Sequence, residues 1–138
     1  MSKRLGWAIA LAAFILAAAA GLDYLEGNAV IGADLARRSM QVLIGLMLAG
    51  YANVMPKQLD RLRGSARAQA AAQAAVRVGG WSLTLGGLAH AGLWAFAPLD
   101  FANTASIVVV GGATLLTLGY AVWCFATGRR ERGASAGR

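Results

Sequence analysis

Four stretches of the chain are almost free of charge, and the polar residues gather between them. They run from about Leu5 to Leu22, Met40 to Met55, Val78 to Ala97 and Ala105 to Ala126. A helix that crosses a bilayer needs about 17 to 25 mostly apolar residues, a length the second stretch reaches only with its flanks. Membrane barrel strands alternate apolar and polar residues over about 10 positions. These stretches are continuous instead, and the first is rich in alanine and leucine, good helix formers. The pattern predicts an all-α fold, an integral membrane four-helix bundle formed by residues 1–138 as one transmembrane domain. Its helices are expected over 5–22, 39–56, 78–97 and 105–126, with a basic loop at 57–77.

Composition supports this picture. The 138 residues are 58% hydrophobic and 14% charged, against about 25% charged in a typical soluble domain. A soluble core of this size could not bury so much apolar surface, whereas lipid is itself an apolar solvent for the outer faces of helices.

Charge then orients the helices. Lys3 and Arg4 precede the first segment. Lys57, Arg61, Arg63, Arg67 and Arg77 lie between the second and third, and Arg129, Arg130, Arg132 and Arg138 follow the fourth. Thus 11 of 13 basic residues fall on one side, and only Arg37 and Arg38 on the other, with Asp23, Glu26, Asp34 and Asp100. The positive-inside rule puts both termini in the cytoplasm of a bacterial inner membrane. Trp7, Tyr51, Trp81, Tyr120 and Trp123 fall toward the inner boundary, and Tyr24, Trp94, Phe96 and Phe101 toward the outer one, where amphipathic rings are favoured. Lys3-Arg4, an apolar run and Ala18-Ala19-Ala20 also fit a cleaved signal peptide, and cleavage after Ala20 would leave three helices. The retained helix is the reading adopted, since small residues are common inside membrane helices.

The net charge of +7 would point to nucleic acid in a soluble chain. Here the cations sit at segment ends, so the expected partner is a lipid bilayer with anionic headgroups, and no nucleic acid. Ser65 to Arg77 is alanine-rich, so the third helix is expected to begin in the cytoplasm. At about 100° per residue, Arg63, Arg67, Gln73 and Arg77 share one half of its circumference. This surface is either a solvated extension touching headgroups or a docking face for a partner.

Small residues mark the candidate seams between helices. The second segment offers Gly45, Ala49 and Ala52, the third Gly80, Thr84, Gly87 and Ala91, and the fourth Gly112 and Gly119. Among polar residues, His90 lies 13 positions beyond Arg77, in the outer half of the bilayer at about 1.5 Å per residue. The favoured role is structural, a neutral imidazole bonded to a neighbouring helix; ligand binding, proton transfer and pH sensing are the alternatives. Asn53 is expected to bond at the inner interface, where Pro56 ends or kinks the helix. Asp34 can cap the second helix and pair with Arg38 one turn on, and Asp23 and Glu26 can meet Arg37 and Arg38 across the external loop. That cluster is either a plain exposed charge group or a contact for an anionic ligand or peptide.

No enzyme is expected. One histidine cannot supply a hydrolytic triad around a nucleophile motif, and no HExxH, P-loop or dinucleotide fingerprint occurs. No catalytic residue, metal ligand set or cofactor is assigned. The single cysteine, Cys124, allows no internal disulfide, and a haem between two histidines would need a second chain.

The stretch Asn53-Val54-Met55-Pro56-Lys57-Gln58-Leu59-Asp60-Arg61-Leu62-Arg63-Gly64 resembles the loop of the SdpI family of small bacterial membrane proteins. Some members act as immunity proteins against a secreted toxin. The resemblance covers about 30 residues and includes Arg77-Val78-Gly79-Gly80-Trp81, similar to the start of the family's next helix. The family's Tyr/Ile-Arg-Thr after the glycine is replaced here by Ser65-Ala66-Arg67. The resemblance implies a helical membrane protein whose cytoplasmic loop carries the functional positions. The sequence reading is thus a non-enzymatic accessory or immunity-like protein acting through helix and loop contacts, with a membrane-protein partner or a homo-oligomer. The alternatives are a small transporter or channel subunit, or a cofactor-holding subunit of a membrane complex using His90. The candidate ligand or partner residues are His90, Asn53, Arg37, Arg38, Arg63 and Arg67.

Overall fold

A computed structural model of the chain describes residues 3–54 and 66–136, and the side chains of 5–54, 69–124 and 126. It is all-helical: α1 (Lys3–Gly27), α2 (Ala33–Val54), α3 (Ala66–Phe96) and α4 (Leu99–Ala136). Helix α2 begins earlier than its apolar run, because Asp34, Arg37 and Arg38 are helical residues. Helix α3 runs unbroken from Ala66, through the alanine-rich segment.

The ends have local causes. At the end of α1 the Val30 amide donates to the Leu25 carbonyl and the Ala29 amide to that of Glu26, both at 2.9 Å. This closing pattern needs a left-handed residue, and Ala29 fills the place at φ 56°. At the start of α2 the Gly32 carbonyl accepts from Leu35 and Ala36 at 3.0 Å, so the capping position is Gly32. The expected Asp34 cap is corrected: Asp34 lies inside the first turn, where a carboxylate still opposes the helix dipole. Helix α3 stops at Phe96 because Pro98 bars the helical conformation at the residue before it.

Among the described residues the helices pack in chain order. Helix α3 lies between α2 and α4, and α1 touches α2 alone. The arrangement is a row of helices, not a closed ring of four. The face of α1 toward α2 is the half-buried stripe Ile15, Ala18, Ala19, Leu22 and Leu25; the rest of its described side chains are exposed.

The interior is made of small residues. Ala36, Ala49, Ala52, Ala75, Ala91, Ala102 and Ala113 are buried, and among the described residues Trp94 is the one large side chain fully inside. At the α2–α3 seam, a Cβ on Gly45 would lie 2.7 Å from the Gly87 carbonyl oxygen and 2.8 Å from the Ala91 nitrogen. The backbones touch there because no side chain separates them. Thr84 adds a 3.4 Å hydrogen bond to the Ala49 carbonyl. The expected small-residue seam of α2 and α3 is therefore present.

The seam of α3 with α4 differs from expectation. A Cβ on Gly112 or Gly119 meets nothing within 4 Å. The close contacts come from α3 instead: a Cβ on Gly79 would meet Thr117, and one on Gly86 would meet Ala113. The glycines face the partner on α3 only; α4 answers with alanine and threonine.

Large apolar residues point outward. Trp7 is 78% exposed, Leu16 70%, Ile107 69% and Leu115 72%. Two helices, Leu5–Gly27 and Leu99–Cys124, are long and apolar enough to cross a membrane.

Candidate functional site

Polar chemistry inside the fold concentrates where the start of α2 meets the end of α3. Arg38, Gln41, Gly45, Ala49 and Ala52 fall at spacings of three and four, so they share one stripe of α2. His90, Ala91 and Trp94 continue the facing stripe of α3 beyond Gly87. The helices run antiparallel, so rising numbers on α3 meet falling numbers on α2. Thr84 meets Ala49, Gly87 meets Gly45, His90 meets Gln41 and Trp94 meets Arg38.

His90 is buried, and its Nε2 lies 3.2 Å from the Gln41 side-chain oxygen. With the oxygen as acceptor, Nε2–H donates and Nδ1 carries the lone pair. Nδ1 has no partner, and neither has the Trp94 indole nitrogen one turn on. The two rings are 6.4 Å apart and tilted by 46°. One buried acceptor and one buried donor are therefore left without a partner on neighbouring turns of α3.

Arg37 and Arg38 close this end. The Arg37 guanidinium carbon stands 5.3 Å from the centroid of the Trp94 ring, a cation–π contact. Arg38 Nη1 donates to the Trp94 carbonyl at 2.8 Å. In an unbroken helix that carbonyl would accept from the amide of residue 98, which is proline and has none. Arg38 supplies the missing donor. The expected Asp34–Arg38 ion pair is thus corrected, since Arg38 reaches α3 instead. Among the described residues no ion pair joins Asp23, Glu26 or Asp34 to either arginine.

Of the six candidate residues, the structure gathers His90, Arg37 and Arg38 at one place. Asn53 is exposed on the last turn of α2, at the opposite end. Arg63, with Pro56, lies outside the described residues; Arg67 lies in the first turn of α3, with its side chain outside them. Sequence reading missed Gln41 as the partner of His90 and placed Trp94 in an interfacial belt. Trp94 lies toward that end but is only 2% exposed and faces α2. The stripes are legible, with Gln41 one turn before Gly45 and Trp94 beyond Gly87 and Ala91, but the register that pairs Gln41 with His90 is not.

Among the described residues no three side chains of His, Cys, Asp or Glu come together as a metal site would require. Comparison of the chain with family models, curated proteins and solved structures gives no match.

Proposed function

We propose that the chain is a multi-pass protein of the bacterial inner membrane, crossing it four times with both termini in the cytoplasm. Its role is non-enzymatic, accessory or immunity-like, exercised through helix and loop contacts. The observation that carries this reading is the inverted packing. Alanine and glycine line the seams while Trp7, Leu16, Ile107 and Leu115 face outward. In water such contiguous apolar surface drives aggregation, whereas in lipid it is the outer coat of the protein. Helices in lipid associate through small residues that let backbones approach, as at Gly45 and Gly87.

Helices α2 and α3 fit the same account despite their polar residues. His90 Nε2 pairs with the Gln41 side-chain oxygen, and Arg38 turns to a backbone carbonyl. The large exposed side chains of their middles are Ile44, Leu46, Leu85 and Leu88. The kinship with SdpI-type proteins belongs to this proposal, and would put its working surface in the basic loop with Arg63 and Arg67.

An accessory role rests on α1, a long apolar helix held along one stripe, among the described residues, by α2 alone. Its remaining faces are open to the helix of another membrane protein. A photo-crosslinking residue at Leu16 in living cells tests this. The expected result is one discrete protein adduct; labelling of lipid alone would count against an accessory role.

A second reading is favoured by one observation, the unpartnered Nδ1 of His90 beside the unpartnered Trp94 nitrogen. It makes the chain a ligand-holding or transport subunit working through His90. Loss of a bound small molecule or of proton-coupled flux in a folded His90→Gln protein would select this reading.

A further inference from the structure

At the end of the molecule opposite His90, the surface of α3 beside Tyr120 of α4 carries an open groove of about 410 Å³. Arg77, Trp81, Ser82 and Leu85 line it from α3, and Tyr120 from α4. We propose that this groove seats the phosphate of an anionic phospholipid. The proposal rests on the membrane reading and adds to it a defined lipid site.

The groove is graded along its length. Arg77 is the last cation before the apolar part of α3, and Leu85 lies eight residues further on, about 12 Å along the axis at 1.5 Å per residue. A headgroup phosphate at Arg77 therefore directs its acyl chain toward Leu85. A guanidinium matches the geometry of a phosphate, because two parallel N–H groups reach two of its oxygens. Arg77 is exposed, and among the described residues no carboxylate neutralises it. The Ser82 hydroxyl adds a second donor on the same wall.

The aromatic walls suit the same occupant. Trp81 is 66% exposed, and Tyr120 leans on Trp123 with ring centroids 5.7 Å apart. Trp and Tyr rings with one apolar and one polar end favour headgroup depth. Basic clefts between membrane helices on the cytoplasmic side bind acidic headgroups. By their order along the chain, 11 of the 13 basic residues fall on the cytoplasmic side of the proposed topology, where the anionic lipids of that leaflet are found. A soluble phosphate compound would meet the cation but leave the wall from Trp81 to Leu85 uncovered, so a lipid is the occupant the groove fits.

The test is native mass spectrometry of the full chain, purified in mild detergent with phosphatidylglycerol and phosphatidylcholine added in equal amounts. The wild type should retain phosphatidylglycerol preferentially. Arg77→Gln should lower that retention about fivefold, the effect of one cation at a headgroup. Arg77→Lys should lose less, and Arg130→Gln, ten residues beyond Tyr120, should match the wild type. Unchanged retention in Arg77→Gln, or an equal loss in Arg130→Gln, would overturn the site. Displacement of the lipid by millimolar inorganic phosphate would overturn it in favour of a soluble ligand. Alkaline carbonate extraction of the same cells separates the two levels. Protein in the membrane pellet with undiminished lipid on Arg77→Gln defeats the groove alone, whereas release of the wild type defeats the membrane reading.

Discussion

Arg38 completes the end of α3 by donating from Nη1 to the Trp94 carbonyl at 2.8 Å, in the place of the amide that Pro98 does not have. The start of α2 and the end of α3 are thereby tied by one side chain. Arg38→Met keeps the apolar stem and removes the donor, leaving the carbonyl unpaired. Hydrogen bonds to charged groups contribute about 1.5–3 kcal/mol. Unfolding of the variant in mixed micelles should show a loss of that order. A variant as stable as the wild type would mean that this carbonyl finds another donor.

The α2–α3 seam makes a sharper steric prediction. A Cβ on Gly87 would lie 2.6 Å from the Gly45 carbonyl oxygen and 2.7 Å from the Ala49 nitrogen, both backbone atoms that cannot rotate aside. Gly87→Ala should destabilise by about 1–3 kcal/mol, as overpacking does. Gly112→Ala meets open space and should be neutral or gain up to about 1 kcal/mol from helix propensity. Equal thermal shifts for the two variants would contradict the seam.

Ala29 carries the opposite kind of strain. Its φ of 56° lies in the left-handed region, which disfavours a residue with a Cβ by roughly 1–2 kcal/mol. Ala29→Gly should therefore raise the unfolding temperature while leaving the α1–α2 connection in place. A lower unfolding temperature would show that the turn does not keep this conformation.

The His90–Gln41 pair tests the structural reading of the only histidine. A double-mutant cycle with His90→Leu and Gln41→Leu should return a coupling of about 0.6 kcal/mol, the average for bonds between membrane helices. His90→Gln, which keeps a hydrogen-bonding side chain, should fold normally. A coupling near zero would assign His90 another partner and another purpose.

Much of this architecture is legible in the sequence, for identifiable reasons. Four helices follow from four apolar runs, and the α2–α3 seam follows from Gly45, Ala49, Gly87 and Ala91, whose spacing puts them on single stripes. The facing side of α4 was misread because glycine alone was taken as the sign of a close approach. Ala113 and Thr117 serve there, since the glycines of α3 already provide the room. The site was half legible. His90 stood out as a lone ionisable group, but its partner depends on the register between two helices, which no local pattern contains. The bond from Arg38 to Trp94 likewise arises from a proline four residues past a carbonyl on another helix. Helix α1 is the clearest difference: its composition suggested a bundle member, yet it leans on α2 alone.

Reporter fusions decide whether the chain crosses the membrane four times with both ends in the cytoplasm. Alkaline phosphatase and a cytoplasm-active fluorescent protein would be joined in turn after Gly27, Lys57, Asn103 and Arg130. Phosphatase activity is expected at Gly27 and Asn103, and fluorescence at Lys57 and Arg130. Phosphatase activity after Lys57, or fluorescence at all four positions, would contradict this topology.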